Sequence, residues 1–229
     1  MDEREEPILI TSDMLARSAS RSRRPDGRVD FERGMRHAPA VVLLLIAANV
    51  AVFIWEVVTG ALTSQERVVQ AGALTRTTVL AGEWWRLVGA TFLHGSWEHL
   101  ISNCLVLYIA GMACEHAFGT LRTAAIYVAS GISGSVASTL FSPGPSVGAS
   151  GAIFGVVAAV IVTLYRHQHR FFLRDKRIGI VLGAWSVYQI FTGFMTPYID
   201  NWAHVGGLVG GAAASLVLTP RVMWGQATS

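Results

Sequence analysis

The stretch Ser146-Val147-Gly148-Ala149-Ser150-Gly151-Ala152-Ile153-Phe154-Gly155 decides how the fold of this chain is predicted. It follows the helix breaker Ser142-Pro143-Gly144-Pro145, inside a run of residues 123–165 that contains no charged side chain. A serine flanked by glycines at this point is predicted to lie in the first turn of a membrane helix. The first N–H groups of a helix have no partner within it and carry partial positive charge, so they can stabilise an oxyanion next to a nucleophile. The alternative is that Ser150 only caps the helix while the glycines let two helices touch.

The composition indicates a membrane protein. Of the 229 residues, 52% are hydrophobic and 14% are charged, whereas a soluble domain has about 25% charged residues. The net charge of +3 would also fit a nucleic-acid-binding protein, but the basic residues occur in short segments between apolar runs, as cytoplasmic loops do. We therefore predict contact with the lipid bilayer and with no nucleic acid. Cys104 and Cys114 are predicted on one helix about 15 Å apart, which is too far for a disulfide.

The apolar runs predict an all-α membrane protein with six transmembrane helices between two tails. Residues 1–37 are rich in charge and are predicted to form a flexible cytoplasmic tail. Residues 38–220 form the six-span domain, and residues 221–229 form a short cytoplasmic tail. The predicted spans are residues 38–58, 97–114, 123–141, 150–165, 178–195 and 202–218. The connection 59–97 is expected to lie along the membrane interface as short amphipathic helices.

The lysines and arginines in the short loops orient these spans. The predicted loop 166–177 carries five basic residues, namely Arg166, Arg170, Arg174, Lys176 and Arg177. The connections between the third and fourth spans and between the fifth and sixth spans carry none. Although the connection 59–97 holds three arginines, the best fit places both termini in the cytoplasm.

Four polar residues lie at a similar shallow depth in this arrangement. Ser150 and His204 begin the fourth and sixth spans from the external side, and His99 and Asn103 begin the second span from the same side. Polar groups at membrane depth normally face a bundle interior or a water-filled cavity. A serine hydroxyl is a weak nucleophile until a base such as neutral imidazole takes its proton. The shared depth therefore predicts Ser150 as a nucleophile and His204 as its base.

His204 has a second interpretation, because a lone histidine near a helix end is often a packed or interfacial residue. The glycines that follow it favour catalysis, since two interleaved glycine pairs between residues 206 and 211 allow a partner helix to approach closely. If that partner is the fourth span, the imidazole can reach Ser150. Asp200, four residues before His204, is interpreted as a solvated loop acid, so we predict a dyad and not a triad.

His94, Glu98 and His99 also suggest a metal site. Their spacing, His-x-x-x-Glu-His, does not match the helical His-Glu-x-x-His pattern of zinc proteases, and the sequence offers no evident third ligand. We therefore predict a site without metal and without cofactor.

These residues resemble the motifs of the rhomboid family of intramembrane serine proteases over residues 83–218. Gly148-Ala149-Ser150-Gly151 is similar to the family's Gly-x-Ser-Gly motif, and residues 203–211 are similar to its Ala-His-x-x-Gly-x-x-x-Gly motif. Residues 94–103 resemble the His-x-x-x-x-His-x-x-x-Asn segment. Trp85-Arg86 and the pair Glu115 and Gly119 resemble two further motifs. Each match alone is weak, but all of them in this order are specific.

The resemblance implies a six-span bundle with a Ser150–His204 dyad in a water-accessible cavity open to the extracytoplasmic side. Asn103 and His99 would help to hold the oxyanion alongside the N–H of Ser150, with Gly148 as a supporting residue of the site.

The resemblance also implies a gate made of the fifth span and the loop 195–201, and an aromatic residue, Phe154, that packs on the histidine. The implied activity is an intramembrane serine endopeptidase that cleaves single-span membrane proteins near the extracytoplasmic face. The implied location is the bacterial inner membrane, with multiple passes.

Two other functions remain open from the sequence. A catalytically inactive relative that binds membrane helices would be marked by loss of the serine or the histidine, and both are present. A small transporter or channel would carry polar residues at mid-depth and inverted repeats, whereas the polar residues here cluster near one side.

Overall fold

The computed structural model describes residues 28–35, 38–196 and 199–222, which form a bundle of helices joined by short turns. The α-helices of these residues are α1 (Phe31–Gly34), α2 (Ala40–Thr59), α3 (Gln65–Ala71), α4 (Arg76–Leu80), α5 (Arg86–Gly89), α6 (Trp97–Phe118), α7 (Thr120–Phe141), α8 (Ser150–Arg166), α9 (Leu173–Met195) and α10 (Asn201–Val217). Short 3₁₀ turns at Ala61–Thr63 and Ala90–Phe92 lie between α2 and α6. The predicted all-α class is confirmed.

Within the described part of the chain, four helices are long and apolar enough to cross a membrane, namely α2, α6, α7 and α9. Helix α8 is a shorter apolar helix of 17 residues, and α10 also has 17 residues. These six helices correspond to the six predicted spans. That α8 and α10 also cross the bilayer stays a prediction.

The predicted end of the second span is wrong by four residues. Helix α6 continues past residue 114 to Phe118. Gly111 lies inside this continuous helix. Its missing side chain makes room for Val42 of α2. The chain leaves the helix only at Gly119, where φ is +82°.

The predicted start of the fifth span is also wrong. Helix α9 begins at Leu173 instead of residue 178, because the carboxylate of Asp175 accepts the N–H of Phe172 at 3.1 Å and satisfies the helix start. The last three basic residues of the predicted loop, Arg174, Lys176 and Arg177, therefore lie in the first turns of α9.

Helix α8 lies at the centre of the bundle and contacts α6, α7, α9 and α10. Residues 151–160 are all buried, since small or apolar side chains cover every face of the helix. A helix that is apolar on all sides is typical of a protein interior. Ser150 therefore begins a helix whose position is determined by four neighbours.

Helix α10 approaches α8 backbone to backbone. A Cβ added at Gly207 would overlap the carbonyl oxygen of Gly151, and a Cβ added at Gly211 would overlap that of Gly155. The other glycine pair, at residues 206 and 210, faces α7 with similarly little space. The predicted close contact between the fourth and sixth spans is confirmed.

The connection between α2 and α6 holds the segment that precedes Ser150. Leu74 and Ser146 exchange two backbone hydrogen bonds of 2.9 and 2.8 Å, and the N–H of Gly148 donates to the carbonyl of Ala90 at 3.0 Å. The loop between α7 and α8 is thus attached to a separate part of the chain by main-chain bonds.

Arg86 stabilises this connection from inside. Its guanidinium is buried and donates to the carbonyl oxygens of Val69 at 2.6 Å and Ala73 at 2.9 Å, and it pairs with Glu83 at 2.7 Å. The ring of Trp85 lies 4.8 Å from the guanidinium carbon. The Trp-Arg pair therefore acts as a structural anchor.

Residues 28–35 pack against the helices, which the sequence did not predict. The ring of Phe31 is fully buried and lies 5.0 Å from His116 and 5.7 Å from Phe171. The N–H groups of Phe31 and Glu32 both donate to the buried carboxylate of Asp175 at 3.3 Å. The rest of the predicted tails, residues 1–27, 36–37 and 223–229, lies outside the described residues.

Candidate active site

Ser150 and His204 lie within hydrogen-bonding distance of each other. Ser150 is the first residue of α8 and His204 lies in the first turn of α10. The serine Oγ and the histidine Nε2 are 2.9 Å apart. Nε2 can accept the hydroxyl proton only when the ring hydrogen is on Nδ1. The glycine contact between α8 and α10 permits this distance, because side chains there would push the helices apart.

The hydroxyl of Ser150 does not cap α8. The N-cap residue is Ala149, and α8 has no side-chain cap, so the alternative interpretation of Ser150 as a cap is wrong. Gly148 has φ of +121°, which residues with a side chain rarely adopt. A Cβ at Gly148 would also lie 2.7 Å from Nε2 of His99. The backbone conformation and the limited space therefore both require glycine at position 148, two residues before Ser150.

Phe154 packs on the histidine, as the resemblance implied. The rings of Phe154 and His204 are stacked, with centroids 4.3 Å apart and planes 13° from parallel. Phe154 also contacts Trp185 of α9, with centroids 5.1 Å apart. His204 is only 7% exposed. Its burial and the stacked ring of Phe154 together limit the rotation of the imidazole.

Asp200 differs from its prediction as a solvated loop acid. It is the N-cap residue of α10, where Oδ1 accepts the N–H of Ala203 at 3.1 Å. Its Oδ2 accepts the hydroxyl of Ser138 on α7. Nδ1 of His204 has no hydrogen-bond partner among the described residues. Asp200 thus fixes the start of α10, and its carboxylate makes no hydrogen bond to the imidazole of His204 among the described residues.

Asn103 and His99 lie beside Gly148. From the position of a Cβ added at Gly148, Nδ2 of Asn103 is 3.5 Å away and Nε2 of His99 is 2.7 Å away. Both side chains are on α6, whose start is capped by Ser96, since its Oγ accepts the N–H of His99 at 3.2 Å. Two side chains with N–H donors therefore flank the backbone just before Ser150.

His94 holds Asn103, a role that the sequence did not predict. Nδ1 of His94 is 3.2 Å from the carbonyl oxygen of Phe92. Because a carbonyl only accepts, Nδ1 carries the hydrogen and Nε2 accepts a hydrogen bond from Nδ2 of Asn103 at 3.0 Å. Burial and the neighbouring His99 lower the pKa of His94 to about 4, which keeps the ring neutral. The motif spacing singled out His94 and Asn103 in the sequence, but only the folded structure shows that their side chains are in contact.

The ring nitrogens of His94, a residue considered above as a metal ligand, bond to protein groups. Both ring nitrogens of His94 are engaged, by Phe92 and Asn103. Where the chain is described, no three His, Cys, Asp or Glu side chains form a group that could hold a metal ion.

This site and fold define a class, a helical membrane protein with a hydrogen-bonded serine and histidine at the ends of two closely packed helices. A family model described as the Rhomboid domain matches residues 81–221. The chain therefore belongs to the rhomboid family, and it is an integral multi-pass membrane protein.

Three relatives illustrate the similarity. Rhomboid protease GluP of Bacillus subtilis (strain 168) is 39% identical over 190 residues, which cover 82% of this chain and 37% of that protein. Rhomboid protease AarA of Providencia stuartii is 31% identical over 211 residues, covering 80% and 75%. RHOMBOID-like protein 5 of Arabidopsis thaliana is 39% identical over 158 residues, covering 67% and 50%. The chain thus spans half or less of the length of two of these relatives.

Proposed function

We propose that this protein is an intramembrane serine endopeptidase that cleaves single-span membrane proteins near the extracytoplasmic face. Ser150 is the nucleophile and His204 is the general base and acid. The observation that carries the proposal is the 2.9 Å distance between Ser150 Oγ and His204 Nε2. Helices that are packed through glycines hold the two residues at this distance. The names of GluP and AarA, both called rhomboid proteases, support the same activity.

The reaction follows from the chemistry of the two groups. Oγ of Ser150 attacks the carbonyl carbon of the scissile peptide while Nε2 of His204 takes the hydroxyl proton. When the C–N bond breaks, the imidazolium gives that proton to the leaving amine. A water molecule then attacks the acyl-enzyme, with His204 again as base, and the proton returns to Ser150 as the acid product leaves.

The oxyanion of each tetrahedral intermediate is stabilised by three N–H groups. The N–H of Ser150 is at the positive end of α8, where helical N–H groups have no partner. Nδ2 of Asn103 and Nε2 of His99 supply the other two, since both lie beside Gly148. Donors that are already in position need little rearrangement as charge develops on the oxygen.

The substrate helix has to unwind before Ser150 can reach a peptide bond. Unwinding in lipid leaves backbone groups unsatisfied, which costs several kcal/mol for each group. A water-accessible cavity near the membrane surface removes much of that cost, so we expect small or helix-breaking residues at the cut. The gate consists of α9 and the loop 195–201, in which residues 197–198 lie outside the described residues.

The proposed dyad is tested with purified protein and a single-span substrate in liposomes. Ser150→Ala and His204→Ala should each lower the cleavage rate by on the order of 10⁴-fold or more, and a fluorophosphonate probe should label wild type but not Ser150→Ala. The control is Ser102→Ala, which removes an exposed hydroxyl that bonds only within its own helix. Cleavage by Ser150→Ala at the wild-type rate would refute the assignment of the nucleophile.

The proposed location is the bacterial inner membrane, with both termini in the cytoplasm. It is tested with single cysteines in place of Ser146 and Gln168, in a chain from which Cys104 and Cys114 have been removed. A membrane-impermeant thiol reagent added to intact cells should label position 146 and leave position 168 unlabelled. The reverse pattern would place Ser150 on the cytoplasmic side and overturn the orientation.

A further inference from the structure

Glu56 is a carboxylic acid buried in an apolar membrane helix. It lies near the end of α2, and its side chain is fully buried. Its Oε2 accepts the backbone N–H of His94 at 2.9 Å, and its Oε1 has no hydrogen-bond partner among the described residues. An acidic group in a membrane span is costly and normally has a functional partner. The contact with His94 connects Glu56 to the candidate active site.

His94 transmits this contact to Asn103. The whole residue is buried at the turn before α6. Its backbone N–H is held by Glu56 and its ring Nδ1 by the carbonyl of Phe92, so the orientation of the ring is fixed at two points. The remaining ring atom, Nε2, accepts one N–H of the Asn103 amide at 3.0 Å.

The direction of the Asn103 amide follows from that bond. The amide group is planar and its nitrogen carries two hydrogens. When one hydrogen is held by His94, the direction of the second is also set. Nδ2 lies next to Gly148, 3.5 Å from the position of an added Cβ, and this is the nitrogen that serves the oxyanion in the proposed function.

We propose that Glu56 is a positioning residue, which acts through His94 to set the direction of the Asn103 amide at the oxyanion site. The catalytic consequence rests on the proposed protease function. Without Glu56, the buried N–H of His94 has no acceptor, and the turn before α6 must shift to find one. A displacement of about 1 Å in a catalytic group can lower a rate by on the order of 10²-fold.

Two substitutions at Glu56 separate hydrogen bonding from packing. Glu56→Met keeps the length of the side chain and removes the acceptor, so kcat should fall on the order of tenfold with KM little changed. Glu56→Gln keeps a carbonyl oxygen that can accept the N–H of His94, so kcat should stay within about threefold of wild type. The matched control is Asn49→Leu, which removes another buried polar side chain from α2, whose amide donates to the carbonyl of Leu45 and also interacts with Tyr127 of α7.

A double-mutant cycle with Asn103 tests the proposed route. If Glu56 acts through the Asn103 amide, Glu56→Met should have little further effect on kcat in an Asn103→Ala background. An equal tenfold loss in both backgrounds would overturn the positioning role, and so would an equal loss in Asn49→Leu.

An NMR measurement tests the same contacts without any cleavage assay. In ¹⁵N-labelled protein, Glu56→Met should shift the signals of the His94 backbone N–H and of the Asn103 side-chain amide, whereas Glu56→Gln and Asn49→Leu should leave the Asn103 signals in place. Unchanged Asn103 signals in Glu56→Met would overturn the proposal. If Glu56→Met fails to fold, unchanged signals in Glu56→Asp, whose shorter side chain withdraws the acceptor from His94, would overturn it equally. Should wild type cleave no substrate, the proposed function fails while the NMR result still decides whether Glu56 positions Asn103.

Discussion

Helices α10 and α9 are both apolar neighbours of α8, yet they pack in opposite ways. Helix α10 contacts α8 and α7 through its glycines with little space for any side chain. Helix α9 buries only Asp175, Leu182, Ser186 and Gly193 among its 23 residues, and most of its large apolar side chains are exposed. The helix that carries His204 is therefore held rigidly, whereas the helix proposed as a gate has few contacts to break.

The two ends of α9 also differ from each other. At its first turn the buried carboxylate of Asp175 binds the N–H groups of three residues, namely Phe31, Glu32 and Phe172. Near its last turn the carbonyl of Ile190 accepts a hydrogen bond from Nδ2 of Asn201 at 3.1 Å. Since the first turn is anchored to another segment, an opening motion would be largest at the opposite end, next to the start of α10.

The largest expected effect comes from adding the same side chain to both helices. Gly207→Leu should abolish cleavage and destabilise the protein by about 3 kcal/mol or more, because the new side chain pushes α10 away from α8. Gly183→Leu on α9 should change kcat by less than about twofold, since the nearest atom to an added Cβ is 4.0 Å away. The measurements are kcat and thermal unfolding in detergent. Equal effects of the two variants would show that α9 is packed as tightly as α10.

A smaller loss of kcat is expected from a substitution on α6, which tests whether α6 is positioned as firmly as α8 and α10. Asn103→Ala should lower kcat by on the order of 10²-fold, as the loss of one oxyanion donor does in other proteases. The control on the loosely packed helix is Thr192→Ala, whose hydroxyl, among the described residues, bonds only to carbonyl groups of α9. An unchanged kcat in Asn103→Ala would mean that His99 and the N–H of Ser150 suffice.

The anchored end of α9 is tested by Asp175→Ala. The substitution leaves three buried or partly buried N–H groups without an acceptor, so unfolding should become easier by about 1–3 kcal/mol. The matched control is Arg174→Ala, which removes a neighbouring side chain that is 49% exposed and should cost less than about 1 kcal/mol. A larger loss in Arg174→Ala than in Asp175→Ala would show that the ion pairs of Arg174 with Asp30 and Glu32, and not the carboxylate of Asp175, hold residues 28–35 against α9.

The smallest expected effect concerns Phe154 of α8, whose ring contacts both His204 of α10 and Trp185 of α9. Phe154→Leu removes the stack on His204 and should lower kcat by at most about tenfold, since such aromatic contacts contribute about 0.5–1.5 kcal/mol. Trp185→Leu removes the contact of Phe154 with α9 and leaves the stack of Phe154 on His204 in place, so kcat should change less. A larger loss in Trp185→Leu than in Phe154→Leu would mean that α9 helps to position the histidine.

Much of the fold and of the candidate site was predictable from short-range patterns. The apolar runs gave all six long helices, and the glycines at residues 151, 155, 207 and 211 predicted the contact of α8 with α10. Motif spacing also selected Ser150, His204, Asn103 and His99 as candidate site residues, and their catalytic roles stay predictions. Helix boundaries were harder to predict. The start of α9 depends on a cap by Asp175, and α6 continues beyond Gly111, where the glycine packs against Val42 of another helix.

The roles of several polar residues were not predictable, because their partners are distant in the chain. Asp200 was interpreted as a solvated acid, but the hydroxyl of Ser138, 62 positions away, binds it. In the sequence, Glu56 was interpreted only as the polar end of an apolar run, because its partner His94 is 38 positions away. A hydrogen bond of this kind leaves no periodicity in the sequence.

The sequence by itself determined the membrane class, the long helices and the candidate site residues, because apolar length, small-residue spacing and short motifs are local properties of a chain. The tertiary structure alone decided that Ser150 contacts His204 at 2.9 Å, that Asp200 caps α10, and that Glu56 contacts His94, which in turn contacts Asn103. These outcomes depend on distances of a few ångströms between separate helices. Such distances are set by how the whole bundle packs around α8.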